Sequence, residues 1–143
     1  MKIQRGLFFG CMLLIIGLLT TTGYGRQSEK SEGIRVAYGV ICTDVQNREP
    51  IGIDSTFSAA VGSLYCFTRI EGAADTTSVT HVWYFGEKKM SEITLAVKSP
   101  SWRTQSNKKI LPNWTGKWNV VVLSERGDPL TQISFNIKGS KSE

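Results

Sequence analysis

The side chains equipped for chemistry are few and thinly spread. His81 is the one histidine of the chain. It stands in Ser78–Phe85, where Val79, His81, Trp83 and Phe85 alternate with their neighbours, so a strand would carry all four on one face. An imidazole in that company reads as a hydrogen-bonded core residue. Acid–base work would need a nucleophile or carboxylate within reach, and the adjacent sequence offers neither. A metal centre needs three or four ligands, and no second histidine or Asp/Glu cluster stands at ligand spacing. The sequence therefore assigns no catalytic residue, no metal site and no cofactor.

Of the three cysteines, Cys11 falls in an apolar leader, which leaves Cys42 and Cys66. An even pair in an exported chain reads as a structural disulfide. Such a bond would close a loop of about 25 residues and contribute ~3.5 kcal/mol in the chain-entropy model. Two free buried thiols are the alternative; a catalytic thiol lacks a nearby histidine.

Four tryptophans remain to be placed. Trp83 goes with the His81 face, and Trp118 continues into Val120 and Val122 as core. Trp102 and Trp114 lie in polar contexts, SWRT and PNWT, and two readings stay open for them. They form a platform for a sugar ring or peptide, with Arg103 as bidentate donor to a carboxylate or phosphate. Or each lids one end of the fold, with Arg103 stacked on Trp102. Lys108 and Lys109, like Lys88 and Lys89, read as solvated charges, with contact to an anionic surface as the functional alternative. Asp44, Arg48 and Glu49 read as a buried or partly buried ion pair that fixes the connection after the first strand, with a role in recognition as the functional alternative.

Positioning these residues requires strands. Ile110–Leu123 is a proline, an Asn-Trp-Thr-Gly turn and an alternating run, and the whole pattern is organised around it. Before it come strands at Ile34–Thr43, Ser63–Ile70 and Ser78–Phe85, one carrying Ile93, Leu95 and Val97, and a polar edge strand at Ser101–Ile110. Ile133, Phe135 and Ile137 mark the last. Both faces of Ile34–Thr43 are apolar, which places that strand centrally or under cover on both sides. Asn47-Arg48-Glu49-Pro50 forms a turn in an otherwise exposed connection. No stretch after Gly25 sustains a helical period. The fold class is all-β: a single antiparallel immunoglobulin-like β-sandwich of about seven strands.

Lys2 and Arg5, the apolar run Leu7–Leu19 and Gly23 and Gly25 read as a signal peptide over 1–25, or an uncleaved membrane anchor. A flexible linker over 26–34, the sandwich over 35–138 and a tail over 139–143 complete the organisation. Beyond residue 25 the chain holds 15 Lys+Arg against 12 Asp+Glu, the leader having taken two of the 17 cations. That mild, scattered excess lacks the basic stripe of a nucleic-acid binder. Membrane contact is expected only through the N-terminal segment, and the location periplasmic or extracellular.

The string Asp44–Pro50, then Thr80–Tyr84, then Ser101-Trp102-Arg103 leading into Ile110–Trp118, resembles the bacterial family called domain of unknown function 2914, over about Val36–Ile137. The resemblance implies an extracytoplasmic β-sandwich with no established activity and no catalytic residue to carry over. The expected function is an exported, non-enzymatic binding module for a cell-envelope protein, engaged along the edge Ser101–Lys109. The alternative is a glycan- or peptidoglycan-binding module using Trp102, Trp114 and Arg103.

Overall fold

The structure, a computed structural model, describes residues 33–140. The expected signal peptide or anchor over 1–25, nearly all of the expected linker and the last three residues of the tail lie outside the described residues. Ten strands are formed: β1 (Arg35–Cys42), β2 (Asp44–Gln46), β3 (Glu49–Ile51), β4 (Thr56–Ser58), β5 (Ser63–Glu71), β6 (Thr77–Phe85), β7 (Lys88–Val97), β8 (Ser101–Lys109), β9 (Gly116–Ser124) and β10 (Pro129–Lys138). The seven long ones are those whose alternation marks them in the sequence. The three short ones fall in the connection expected to be irregular.

The strands assemble into a three-stranded sheet, β1-β5-β8, and a five-stranded sheet, β4-β10-β9-β6-β7, with β2–β3 as a separate ribbon. All pairs are antiparallel except β4 with β10. The chain is thus a β-sandwich, and alternation decides what lies between the sheets. From β5, Leu64, Cys66, Thr68 and Ile70 point inward and are fully buried. From the larger sheet, Trp83, Trp118, Val120, Val122 and Phe135 meet them. Trp118 is stacked between Phe85, at 4.9 Å, and Phe135, at 5.9 Å, while Trp83 meets Phe135 edge-on at 6.1 Å. These offset and edge contacts add to the area the rings bury.

β1 is an edge strand of the small sheet, not a central one. Its second apolar face is accounted for differently. A bulge between Val36 and Tyr38 shifts the alternation, so Val36, Gly39 and Ile41 face inward and Tyr38, Val40 and Cys42 outward. Gly39 packs closely there: a Cβ would stand 2.8 Å from Ile133 Cδ1, so the end of that side chain would have to shift. The β2–β3 hairpin covers part of the outward face, contacting β5 and β1. Its two-residue turn, Asn47-Arg48, has φ of 52° and 61°, the left-handed pair of a type I′ turn.

The expected ion pair among Asp44, Arg48 and Glu49 is not formed. Asp44 instead accepts from Val45 N and Gln46 Nε2 within the hairpin, and Glu49 reaches Arg103 on β8. The expected Cys42–Cys66 disulfide is absent as well, and both residues are buried free thiols. Register gives the reason. Cys66 is opposite Ile41 and Cys42 opposite Tyr65, an offset of one residue that sends the two thiols to opposite faces of the sheet. Burial pushes both thiols up in pKa, so neither is a thiolate nucleophile at neutral pH.

Candidate functional site

His81 is fully buried, as its strand face implies, and its polar partners come from the opposite sheet. Ser106 Oγ on β8 lies 2.7 Å from His81 Nδ1, and Thr68 Oγ1 on β5 lies 3.1 Å from Nε2. Trp83 Nε1 donates to the same Ser106 Oγ at 3.0 Å, and the Thr68 hydroxyl donates to Thr104 O at 3.4 Å. An indole N–H only donates and a carbonyl only accepts. The two ends therefore fix the direction: Trp83 N–H to Ser106, Ser106 O–H to His81 Nδ1, His81 Nε2–H to Thr68, Thr68 O–H to Thr104 O. That assignment keeps His81 neutral, protonated on Nε2, and satisfies every member. Burial lowers its pKa to about 4, which agrees.

The sequence around His81 shows no nucleophile, yet space brings Ser106 to hydrogen-bond distance. The pair is nevertheless sealed between the sheets, with Ser106 only 6% exposed. Neither side chain lines any of the four main surface grooves, those at Arg103, Gln132, Leu130 and Ala73. Their arrangement ties the sheets together and offers no room for a substrate. Among the described residues no His/Cys/Asp/Glu cluster of metal-ligating size exists.

Trp102 and Trp114 are both half-buried and lie against different parts of the core. Trp102 packs against the core cluster that contains Ile70, Val79, Val97 and Val122; Trp114 packs on Trp118, 5.9 Å away, and its carbonyl accepts Trp118 Nε1 at 3.0 Å. Lys108 holds its ammonium 5.5 Å above the Trp114 ring, marking that tryptophan at the far end of β8. Six residues of strand, about 20 Å, separate the two positions. Each closes one end of the sandwich, and they do not form one platform. The guanidinium over Trp102 is that of Arg48, at 5.9 Å, rather than Arg103. Lys109 is exposed at the end of the outward row of β8.

Arg103 belongs instead to a groove on the outer face of the small sheet. Tyr38 of β1, Phe67 and Arg69 of β5 and Arg103 of β8 line it, with Glu49, Pro50 and Ile53 from the hairpin side. Its volume is about 310 Å³. Tyr38 and Ile53 are 40% and 50% exposed, a large apolar surface for a β-face. Arg103 Nη1 pairs with Glu49 Oε1 at 2.8 Å and donates to Arg48 O at 3.4 Å. Arg69 Nε is buried and forms no hydrogen bond, although Glu71 Oε1 lies within ion-pair reach at 3.5 Å. Glu71 is already held by Arg35 at 2.8 Å. Of these residues sequence reasoning singled out Arg103 and, in a different ion pair, Glu49. The outward alternation of β5, Tyr65-Phe67-Arg69, was the available signal for the rest.

Residues 76–137, from the end of the loop before β6 to the end of β10, match the family model described as "Protein of unknown function (DUF2914)". The resemblance read from the sequence is thus supported over β6–β10. No curated protein matches the chain. Among solved structures, the crystal structure of an endonuclease/exonuclease/phosphatase from Beutenbergia cavernae DSM 12333 is similar at 13% identity and TM-score 0.33. The similarity covers 73% of this chain and 35% of that one, so the chain spans about a third of that protein. A likeness of that size carries no argument about activity.

Proposed function

For a chain whose residues 76–137 match the DUF2914 family model, we propose the role of an exported, non-catalytic binding module that engages a protein partner in the cell envelope. The observation that carries this reading is β8. It is nine residues long, pairs with β5 in unbroken register from Ser63–Lys109 to Glu71–Ser101, and ends the order of its sheet. Its outward row, Ser101, Arg103, Gln105, Asn107 and Lys109, is exposed throughout. A long regular edge offers main-chain donors and acceptors to an added strand, while a polar row keeps it from pairing indiscriminately. The sealed Ser106–His81 pair supports a non-catalytic role. The separation of Trp102 from Trp114 weighs against a glycan platform made of those two rings.

The test is photo-crosslinking in cells with a benzoyl-phenylalanine placed in the full chain. Positions Gln105 and Asn107 on β8 are compared with the exposed Thr94 on β7. Adducts to an envelope protein from the β8 positions and not from Thr94 are expected. Equal adducts from all three, or none from β8, would sink the reading.

A further inference from the structure

The groove beside β8 deepens that reading, and the inference rests on it. The geometry points to the groove as the pocket for an acidic side chain of a strand-like partner segment, its carboxylate held by Arg69 and Arg103. Three observations converge. First, an arginine nitrogen that is buried without a hydrogen-bond partner is costly in a folded chain, and Arg69 Nε is such an atom at the groove wall. Second, charge is unbalanced here. Two arginines, Arg69 and Arg103, line the groove against one carboxylate, Glu49. Third, the groove already shows what it accepts. Glu49 arrives from the neighbouring hairpin and sets its carboxylate 2.8 Å from Arg103, at the position an incoming carboxylate would take.

Glu49 is therefore a placeholder. Its side chain is 61% exposed and that of Arg103 40%. An ion pair so exposed is readily exchanged for another carboxylate. The hairpin that carries Glu49 is held at its tip by two left-handed residues, and Arg48 is not a residue type that favours that conformation. Strain maintained at a hairpin tip next to a groove is consistent with a functional device.

The walls select peptide over sugar. Tyr38 and Phe67 meet edge-to-face, 6.3 Å apart at 68°, which leaves a notch for an apolar side chain and no flat double-ring platform for a pyranose. An alternating apolar–acidic strand added along β8 would place every second residue on this face.

The experiment titrates the full chain with three blocked peptides, Ac-Val-Glu-Val-Glu-Val-NH2 and its Gln and Lys counterparts, and separately with inorganic phosphate. The Nε–H resonances of Arg69 and Arg103 report occupancy, and circular dichroism confirms that each variant is folded. The Glu peptide should bind about tenfold more tightly than the Gln peptide, as expected for a charge-assisted bidentate contact. Arg69→Gln with Arg103→Gln should abolish that preference. Glu49→Gln should act in the opposite sense, raising affinity for the Glu peptide severalfold and leaving the Gln peptide unchanged; a merely structural Glu49 would not do so. Equal binding of the Glu and Gln peptides, or weaker Glu-peptide binding in Glu49→Gln, overturns the inference. So does phosphate that moves both resonances as strongly as the Glu peptide, which would make the groove a general anion site. If the inference fails while crosslinks still come from Gln105 and Asn107, the edge reading survives; if those crosslinks are missing, both fail.

Discussion

The two faces of the small sheet are built from the same strands and behave as different materials. On the inner face, Thr68 and Ser106 are buried and every hydrogen of the Trp83–Ser106–His81–Thr68 chain has an acceptor. On the outer face, one residue along, Arg69 leaves a buried nitrogen without a hydrogen bond and its ion pairs are wet. Closed networks specify a unique packing, and their value is stability. Open ones are poor at that and available for recognition. A period of two residues is enough to divide the tasks.

The largest effect that sharpens this contrast is in the core. Trp83→Ala should cost about 3–5 kcal/mol, the range for removing a fully buried aromatic. Tyr38→Ala on the outer face, where the ring is 40% exposed, should cost about 1 kcal/mol or less. Urea unfolding of the two variants would read the difference directly, and similar losses would break the division. The next effect is in pH. The pKa of His81 is lowered to about 4 in the folded chain from an ordinary 6.5, so the unfolded chain binds more protons between those values. Its contribution is complete above pH 6.5 and lost as pH falls towards 4. The loss is roughly 3 kcal/mol at about 1.4 kcal/mol per pKa unit. Chemical denaturation across pH 4–7 should show that slope, and His81→Gln should remove it. The smallest pair of effects compares Ser106→Ala with Arg69→Gln. The first orphans the Trp83 N–H and the His81 acceptor and should cost about 1–3 kcal/mol. The second removes a half-exposed ion pair together with a buried nitrogen that lacks a hydrogen bond, small effects of opposite sign, and should fall within about 0.5 kcal/mol of wild type in thermal unfolding.

The long strands were legible because each offers several alternations, and the sandwich followed from their number. β2, β3 and β4 were not, since three residues cannot display a period. The Val36–Tyr38 bulge hid the edge position of β1, because it reassigns faces at Ala37 with only the neighbouring Gly39 to hint at it. Parity favoured a disulfide from two cysteines, while register, set by cross-strand partners far along the chain, placed them back to back. The same holds for the polar chain and the groove. His81 meets Ser106 from the other sheet, and Arg103 meets Glu49 from a hairpin, so neither pairing leaves a local mark in the sequence. Arg103 and Glu49 could each be named from type, but their pairing and the Tyr38, Phe67 and Arg69 walls could not.

The strand order also says something about time. Within the large sheet, β6–β7 and β9–β10 are hairpins with short turns, closed cheaply by nearby residues. The small sheet has no such start: β5 must wait for β8, which pairs with it only after β6 and β7 have been passed in the chain. Loop closure of that kind slows folding, and chains dominated by it mature over milliseconds to seconds. The large sheet is therefore the expected template, and β1-β5-β8 condenses onto it late. Until it does, Leu64, Cys66 and Ile70 have no cover and the groove of Arg69 and Arg103 does not exist. A partner for that groove would meet only chains that have finished folding.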